Sequence, residues 1–421
     1  MAYTDFIAAI DLGTSHMVGM VGTKNATGAL SIIAYEVENS GTCIRRGCVY
    51  NVKETASKIR RLILKLENKL GGAKIGQVYV GLGGQSLRSI EHTVCKVLGT
   101  EGVVTEEIID SLYQECKDYR PDMLTVLDVV SPSYFLDDKP ESNPVGVPCS
   151  RIEARYKLIV GRPSLKLNIV NSISEQAKIE IAGILVSPLA LGDVVLSDNE
   201  KDLGCALIGF GAGVTTISVY KGGKLASLSV VPFGGNLITK DITNLRVVES
   251  EAERLKITYG SAKADRDNDM TIQVSLADGM GLREIKLAEL NGVIEARMDE
   301  ILENVYARLE ATGLMSVLGA GIVITGGGAA LKNLPAVMSE RLKMEVRYSA
   351  VRKGIVASGD LVVASNPEYA VAVGLLAKGT KNCALYIPPK PEPKIEPVVE
   401  PEPTVEPTPE PVKDCLLYTS P

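Results

Sequence analysis

Apolar and polar positions along the chain repeat one pattern twice. In each copy, an apolar strand leads through a small glycine-rich turn into a second and a third strand. The predicted strands are 6–12, 17–21 and 29–37 in the first copy, and 205–210, 215–220 and 224–231 in the second. Repetition of a whole supersecondary unit predicts a duplicated fold with a pseudo-twofold relation. The alternative is two unrelated hairpins, since a strand, a glycine turn and a strand are common.

A helix and a further strand follow the first copy. Residues 51–70 carry apolar side chains at helical spacing with lysines and arginines between them, and two glycines end the segment. An apolar strand is predicted at 77–82. Three strands, a helix and a strand in this order are typical of an α/β layer. We therefore expect the helix to pack on the sheet and not on a membrane surface.

Two mixed segments interrupt this alternation. Residues 83–163 combine short strands and helices around a polar, proline-containing stretch, and we interpret them as an inserted subdomain. Residues 243–300 contain a charged helix, a strand at 271–275 and a helix that begins at Leu287. A short apolar strand at 321–325 then runs into three glycines.

The end of the chain differs in composition from the rest. Residues 388–411 hold ten prolines and six glutamates in 24 positions. Such a segment lacks an apolar face and favours an extended, polyproline-like linker. We therefore expect the folded part to end near Tyr386 and residues 387–421 to be a disordered tail.

Composition excludes several classes of protein. The 421 residues are 45% hydrophobic and 23% charged, with a net charge of −6, which is typical of a soluble globular protein. We expect neither a membrane-spanning helix nor a secretory signal, because long apolar runs and a basic N-terminal region are missing. The acidic charge argues against a nucleic-acid partner. Eight cysteines without a CxxC pair and two histidines argue against a disulfide scaffold or structural zinc, and favour a reducing cytoplasm.

Three glycine-rich loops, at 11–15, 209–215 and 325–329, each follow a predicted strand. Glycine lets a backbone approach a ligand closely, and successive N–H groups form a concavity that binds phosphate. One such loop alone is more often structural. Two of these three occupy equivalent points of the duplicated unit, which favours a nucleotide held between two halves. The candidate contacts are Gly13, Thr14, Ser15, Gly211, Gly213, Thr215, Gly326, Gly327 and Gly328.

Charged residues add two further candidates. Asp11 is a candidate for holding Mg²⁺ through water, because Mg²⁺ dehydrates reluctantly. Glu253 and Lys256 are three residues apart, so on a helix they share one face. They form either a solvated salt bridge or a pair that contacts the ribose of a nucleotide.

Together the loops resemble the phosphate-1, phosphate-2 and adenosine motifs of the superfamily that contains actin, chaperones and sugar kinases. Further motifs narrow the resemblance to the FtsA family of bacterial cell-division proteins, in colinear order over about 5–380. They lie at 78–86, 143–146, 231–235, 238–242, 252–260, 294–301 and 369–375. Within them, Gly234 and Gly235 join the candidate nucleotide contacts.

What this resemblance implies for the fold is an actin-like, two-lobed α/β structure. It consists of duplicated ribonuclease-H-like units with an inserted FtsA-type subdomain. The implied boundaries are 5–82, 164–198 and 359–386 for subdomain 1A, 83–163 for the inserted subdomain 1C, 199–242 and 302–358 for subdomain 2A, and 243–301 for subdomain 2B.

The function implied is that of an adaptor in division. FtsA-like proteins bind ATP in the cleft and polymerise into filaments. They bind the C-terminal tail of the tubulin-like FtsZ and tether the Z-ring to the inner face of the cell membrane at the septum. ATP and Mg²⁺ are thus the implied cofactors. The implied partners are the FtsZ tail, further copies of this chain and, at 83–163, other division proteins. Arg297 and Glu300 are the candidate contacts for the FtsZ tail, or else an ordinary exposed helical pair.

Four positions depart from the superfamily pattern. Gly209 stands where an aspartate is usual, Val214 where a threonine is usual, His16 where family members often carry lysine, and Ser187-Pro188 where hydrolytic relatives carry an acid or amide. A missing carboxylate at 209 removes charge that would help hold Mg²⁺ and place water. We expect nucleotide to bind and hydrolysis to be slow or absent.

The C-terminus also departs from the pattern. The family normally ends in a basic amphipathic helix that binds the membrane, whereas residues 414–421 are too short and not basic. Either the chain is truncated at its end or its membrane contact is indirect; of the two we expect truncation, and no pelleting with anionic liposomes.

Two alternatives share the nucleotide loops. A pilus-assembly actin-like protein would bind a short peptide from a membrane partner. A sugar or carboxylate kinase would need a second catalytic carboxylate, and Asp11 is the only acid in the three loops.

Overall fold

The computed structural model describes residues 5–99, 102–275, 281–360, 363, 365–385 and 408. The chain divides into one compact unit, Met1–Leu385, and a second unit, Tyr386–Pro421. The proline- and glutamate-rich tail expected at 387–421 lies, apart from Thr408, outside the described residues.

The strands and helices alternate as expected for an α/β protein. The strands are β1 (Ile7–Leu12), β2 (His16–Lys24), β3 (Leu30–Asn39), β4 (Ile44–Arg45), β5 (Cys48–Val49), β6 (Gln77–Leu82), β7 (Arg88–Val97), β8 (Thr125–Leu136), β9 (Lys139–Glu141), β10 (Arg151–Gly161), β11 (Glu180–Val186), β12 (Cys205–Phe210), β13 (Thr215–Lys221), β14 (Lys224–Val231), β15 (Thr271–Ser275), β16 (Leu282–Lys286), β17 (Ile322–Thr325) and β18 (Val346–Tyr348). The α-helices are α1 (Val52–Lys69), α2 (Glu106–Asp118), α3 (Ser164–Val170), α4 (Ser187–Val195), α5 (Asp198–Leu203), α6 (Gly235–Ile242), α7 (Glu249–Tyr259), α8 (Leu287–Glu310), α9 (Leu334–Leu342) and α10 (Ala370–Lys378).

Two five-stranded sheets have the same architecture, and each forms the centre of one lobe. The first has the order β3-β2-β1-β6-β11 and the second has the order β14-β13-β12-β17-β18. In both, three antiparallel strands form a meander, and the first strand of the meander pairs in parallel with the next strand of the sheet. The duplicated α/β fold predicted from the repeated pattern is thereby confirmed.

The central strands are buried along nearly their whole length, because helices cover both faces of the sheet. Helix α1 begins at Asn51, whose side chain accepts a hydrogen bond from the Glu54 N–H. Its Leu62 and Leu66 lie so close to Gly19 of β2 that a Cβ there would stand 2.8 Å from Leu66. Each fully buried leucine contributes about 1.5–3 kcal/mol to the stability of the fold. The lack of a side chain at Gly19 lets both leucines pack against the sheet.

A separate antiparallel sheet follows the first lobe's β6, in the order β7-β10-β8-β9, and packs with α2 around its own apolar core. It also touches the edge of the second lobe's sheet. Ser89 and Ser131 accept hydrogen bonds from the N–H groups of Leu228 (2.8 Å) and Leu225 (3.0 Å) in β14. These serines satisfy edge groups that would otherwise be free to pair with another strand.

In the second lobe, α7, the β15–β16 hairpin and α8 are inserted between β14 and β17. One face of α8 is apolar and packs into the core of this lobe. Between the lobes, α4 packs tightly on α10, where a Cβ on Gly374 would lie 2.3 Å from the Ala190 carbonyl oxygen. Within the described residues, no helix is both long and apolar enough to span a membrane.

Candidate functional site

The first two glycine loops meet beside the cleft. Residues 13–15 connect β1 to β2, and residues 211–214 connect β12 to β13. A Cβ on Gly213 would lie only 2.5 Å from the Thr14 Oγ1. The buried Ser40 donates its hydroxyl to the Gly13 carbonyl at 2.7 Å and fixes the first loop. The duplicated unit thus brings its two equivalent turns into contact.

Backbone donors in these loops remain available. Both loops are open bends, and no described residue accepts a hydrogen bond from the N–H groups of Thr14, Ser15, Ala212 or Gly213. The Ser15 hydroxyl lies 3.2 Å from the His16 Nδ1. Free N–H groups on two apposed turns form a concavity suited to an anion.

Helix α6 starts directly on the second loop. The Gly235 N–H donates to the Gly211 carbonyl at 3.0 Å, and the Asn236 N–H donates to the Ala212 carbonyl at 2.8 Å. A Cβ on Gly234 would lie 2.5 Å from the Gly211 carbonyl oxygen. Glycine is therefore required at 234 by the close approach of two backbone segments.

Thr215, expected among the phosphate contacts, supports this loop from behind. Its side chain is fully buried and its hydroxyl donates to the Phe233 carbonyl at 2.9 Å. The neighbouring Thr216 instead stands beside Gly209, where a Cβ would lie 2.7 Å from the Thr216 Oγ1.

Glu253 and Lys256 lie on α7 and form a cluster with Gly235 and Thr239 of α6. The Lys256 Nζ donates to Glu253 Oε2 (2.7 Å), Thr239 Oγ1 (2.8 Å) and the Gly235 carbonyl (3.2 Å). Thr239 also donates to Glu253. The lysine is largely enclosed whereas the glutamate is exposed. Lys256 therefore links α7 to the start of α6. The carboxylate of Glu253 is accessible to a ligand.

The third glycine loop packs on the end of β12. Gly326 has a positive φ of 87°, and a Cβ there would lie 2.5 Å from the Phe210 carbonyl oxygen. Gly328 is similarly close to Phe210, whereas a Cβ on Gly327 would lie 3.3 Å from the Glu368 Oε1. This loop thus reaches from the second lobe toward Glu368.

Glu368 also approaches the first loop. The His16 Nε2 lies 3.9 Å from Glu368 Oε2. The imidazole that stands in place of the family's lysine is therefore turned toward this carboxylate.

Asp11 lies at the end of β1, near Gly81 and Ser187. A Cβ on Gly81 would lie 3.1 Å from the Asp11 Oδ1 and 2.5 Å from the Ser187 Oγ. Burial raises the pKa of Asp11 to about 6, against the smaller opposing effect of the Leu12 N–H. No cluster of three or more His, Cys, Asp or Glu suited to a metal occurs among the described residues. Asp11 stays a candidate for holding Mg²⁺ through water.

These features suit a nucleotide. Side chains at Gly81 or Gly213 would fill the space beside Asp11 and Thr14. The Thr325 hydroxyl, at the head of the third loop, is buried without a hydrogen-bond partner in the described part of the chain. The apposed N–H groups suit the phosphates of a nucleotide. The nearby carboxylate suits its cation, and the third glycine loop suits its base.

Arg297 and Glu300 lie apart from the loops, on α8. The Arg297 guanidinium donates to both Asp241, near the end of α6, and Glu300. Hydrogen bonding to Asp241 raises the pKa of Arg297, although partial burial opposes the rise. In this structure the two candidate partner residues bind one another.

Several neighbours of the site were not singled out as site residues from the sequence. Ser40, Gly81 and Thr239 contact the first loop, Asp11 and the Glu253–Lys256 pair. Gly81 and Thr239 do fall inside the motifs at 78–86 and 238–242, but their roles depend on contacts across the fold. Ser40 lies outside these motifs, and only its hydrogen bond to the Gly13 carbonyl shows its role.

Comparison with known proteins adds independent findings. A sequence profile described as "Cell division protein FtsA" matches residues 206–374. The cell division protein FtsA of Porphyromonas gingivalis is 39% identical over 382 residues, which cover 90% of this chain and 79% of the relative.

Solved structures share the fold at low identity. A chain of the PilM–PilN type IV pilus biogenesis complex superposes with a TM-score of 0.60 at 15% identity, covering 88% of this chain and 97% of that one. A chain of the MamK double helical filament gives a TM-score of 0.50 at 12% identity, with coverage of 88% and 97%.

Proposed function

Because the chain belongs to the FtsA family of cell division proteins and has an actin-like fold, we propose that it is an ATP-regulated adaptor that recruits FtsZ. The proposal rests above all on the contact between Thr14 and Gly213, which joins the two glycine loops. Each copy of the duplicated unit supplies one of those loops. The likeness to PilM extends only to the fold, so nothing favours the pilus-assembly alternative over this function.

In this proposal the loops divide the recognition of ATP among them. The N–H groups of Gly13, Thr14, Ser15 and Gly213 face the phosphates, whereas the Gly211 N–H donates to the Val214 carbonyl at 2.9 Å and shapes the second loop. Glu253 and Lys256 contact the ribose, and Gly326, Gly327 and Gly328 lie against the base. Bound Mg²⁺ would neutralise phosphate charge. Asp11 would orient a water bound to that Mg²⁺. Gly234 and Gly235 let α6 approach the second loop.

The partner of the second lobe is the C-terminal tail of FtsZ, bound at Arg297 and Glu300. Arginine suits this role because its planar guanidinium pairs with carboxylates in a bidentate manner. Arg297 now pairs with Asp241 and Glu300. On binding, acidic groups of the tail would take the place of these two carboxylates on the Arg297 guanidinium.

Helix α6 offers a route by which nucleotide would influence that partner. Its first residue, Gly235, donates to the second glycine loop, and Asp241 in its last turn pairs with Arg297. Eight residues of α-helix span about 12 Å. A shift of the loop on nucleotide binding would therefore move one partner of Arg297.

Self-assembly and membrane attachment complete the proposal. MamK, a chain of the same fold, forms a double helical filament. By extension, this protein polymerises at the inner face of the cell membrane at the septum and tethers the Z-ring, either through a C-terminal amphipathic helix of the family type or through an indirect membrane contact. Residues 83–163 form the surface for other division proteins. Sedimentation with Mg·ATP tests assembly, and a chain that stays soluble at every nucleotide concentration would contradict it.

Calorimetric titration tests the choice of partner. A synthetic FtsZ C-terminal tail peptide from the same organism is titrated into the full chain, Arg297→Ala and Arg341→Ala. Arg341 is a matched control because it too pairs with acids of α8, Asp299 and Glu303. We expect only Arg297→Ala to lose binding. If the wild-type chain does not bind the peptide, or if both variants lose peptide binding equally, the assignment of this site fails.

A further inference from the structure

The β4–β5 hairpin carries an arginine in a conformation that arginine rarely adopts. Ile44 pairs with Val49 and Arg45 with Cys48, so Arg46 and Gly47 form a two-residue turn. Both have positive φ, 50° and 71° respectively, as a type I′ turn requires. Asparagine or glycine is usual at the first of these positions. A left-handed arginine costs about 1–2 kcal/mol, and such strain concentrates at ligand-binding sites.

This turn rests on both glycine loops. The Gly47 N–H donates to the Thr14 Oγ1 at 2.9 Å, and a Cβ on Gly213 would lie 2.9 Å from the Arg46 Cα. The Arg46 carbonyl accepts a hydrogen bond from the Gln85 N–H at 3.1 Å. Arg46 therefore sits where the two loops meet.

Among the described residues, the Arg46 guanidinium has no acidic partner. The Arg46 side chain is exposed and donates to the neutral Gln85 Oε1 at 3.3 Å. In the described ranges, no carboxylate lies within ion-pair distance of it. The other basic side chains beside the loops differ, because the His16 imidazole approaches Glu368 and Lys256 pairs with Glu253.

Resting on the proposed nucleotide site, we propose that Arg46 is a specificity-determining residue whose guanidinium binds the terminal phosphates of a nucleoside di- or triphosphate. The planar fork of arginine matches phosphate oxygens, and its charge-assisted hydrogen bonds are stronger than those between neutral groups. Arg46 thus makes affinity depend on the number of phosphates. The strained turn places the Arg46 backbone at the junction of the loops, and in this proposal the exposed guanidinium exchanges Gln85 for phosphate.

Four versions of the 421-residue chain test the role: the wild type, Arg46→Asn, Arg46→Lys and Arg45→Ala. Asparagine tolerates positive φ and keeps the turn while it removes the charge. Lysine keeps the charge without the fork. Arg45 is the neighbouring control, because its guanidinium lies 3.9 Å from the centre of the Tyr50 ring. Dissociation constants for Mg·ATP and AMP are measured by calorimetry or competition, together with melting temperatures.

For Arg46→Asn we expect about 10-fold to 100-fold weaker ATP binding, AMP binding within twofold of wild type, and a higher melting temperature. Arg46→Lys should be intermediate, and Arg45→Ala should match wild type.

Two results overturn this role but leave the proposed nucleotide site intact. One is ATP affinity unchanged in Arg46→Asn, and the other is an equal loss of ATP and AMP, which indicates a purely structural turn. A wild-type chain that binds neither nucleotide overturns the proposed function itself, and the role of Arg46 with it.

Discussion

Thr14 of the first lobe lies against Gly213 of the second so closely that one methyl group would not fit between them. The two residues occupy corresponding turns of the duplicated meander. The contact also includes the backbone of Arg46, 2.9 Å from the Cβ position of Gly213. Any group added here must separate the loops that would share the phosphates.

Gly213→Ala should therefore weaken nucleotide binding. Gly213 does not have a positive φ, so alanine is allowed by the backbone and only the contact is disturbed. Overpacking costs about 1–3 kcal/mol, which corresponds to roughly 5-fold to 150-fold in affinity. Calorimetry with Mg·ATP measures the change. Gly292→Ala in α8 is the control, because no atom lies within 4 Å of its Cβ position. Equal affinity in both variants would refute the shared site.

Asp11→Asn should stabilise the chain in a manner that depends on pH. The folded-state pKa of about 6 lies above the ordinary value of 3.8. The folded state therefore binds this proton more tightly, and burial of the charge destabilises the wild type above pH 6. The cost disappears as pH falls through 6 toward 3.8.

Urea unfolding in Mg²⁺-free buffer measures this effect. The variant's advantage should be of the order of 1–3 kcal/mol at pH 7.5 and close to zero at pH 4. An advantage that is constant over this range would contradict burial of an ionised Asp11.

Gly374→Ala should strongly destabilise the contact between α4 and α10. The added Cβ would lie 2.3 Å from the Ala190 carbonyl, and a backbone atom cannot rotate away as a side-chain end can. We expect a loss of about 1–3 kcal/mol in the free energy of unfolding. Gly292→Ala, again with open space around it, should instead gain up to about 1 kcal/mol from helix propensity. Unchanged stability of Gly374→Ala would show that the two helices separate easily.

Hydrolysis should be slow. Gly209 supplies no carboxylate where the superfamily usually has one, and Ser187 stands near Asp11 where relatives carry an acid or amide. Phosphate release should remain far below about 1 s⁻¹, the lower end for typical enzymes. Gly209→Asp should raise it, since the nearest obstacle is the Thr216 side-chain hydroxyl. Brisk, Mg²⁺-dependent release by the wild type would disprove this expectation.

The sheets were predictable because their signals are local. Strands β6, β12, β14 and β15 have the predicted bounds. Largely continuous apolar runs mark β6 and β12, whereas polar residues are interleaved with apolar ones in β14 and β15. The duplication followed from two such meanders. Strand β2 is longer than predicted, because its polar end at Thr23 and Lys24 continues the ladder with β3.

Contacts across the fold were not predictable in the same way. The spacing of Glu253 and Lys256 indicated one helix face, but not that Thr239 and the Gly235 carbonyl would share the lysine. Thr215 matched a motif, yet its hydroxyl points to Phe233 because the first residue of β13 faces the core. Arg46 carries no sequence signal of its left-handed backbone, which depends on a turn two residues long.

Titration of Mg·ATP into the 421-residue wild-type chain, with heat and melting temperature recorded together, tests the central claim most directly. If the two glycine loops form one nucleotide site, binding should saturate at one ATP per chain and the melting temperature should rise with ligand concentration. A folded chain that shows neither heat nor a shift in melting temperature at millimolar Mg·ATP would contradict the account.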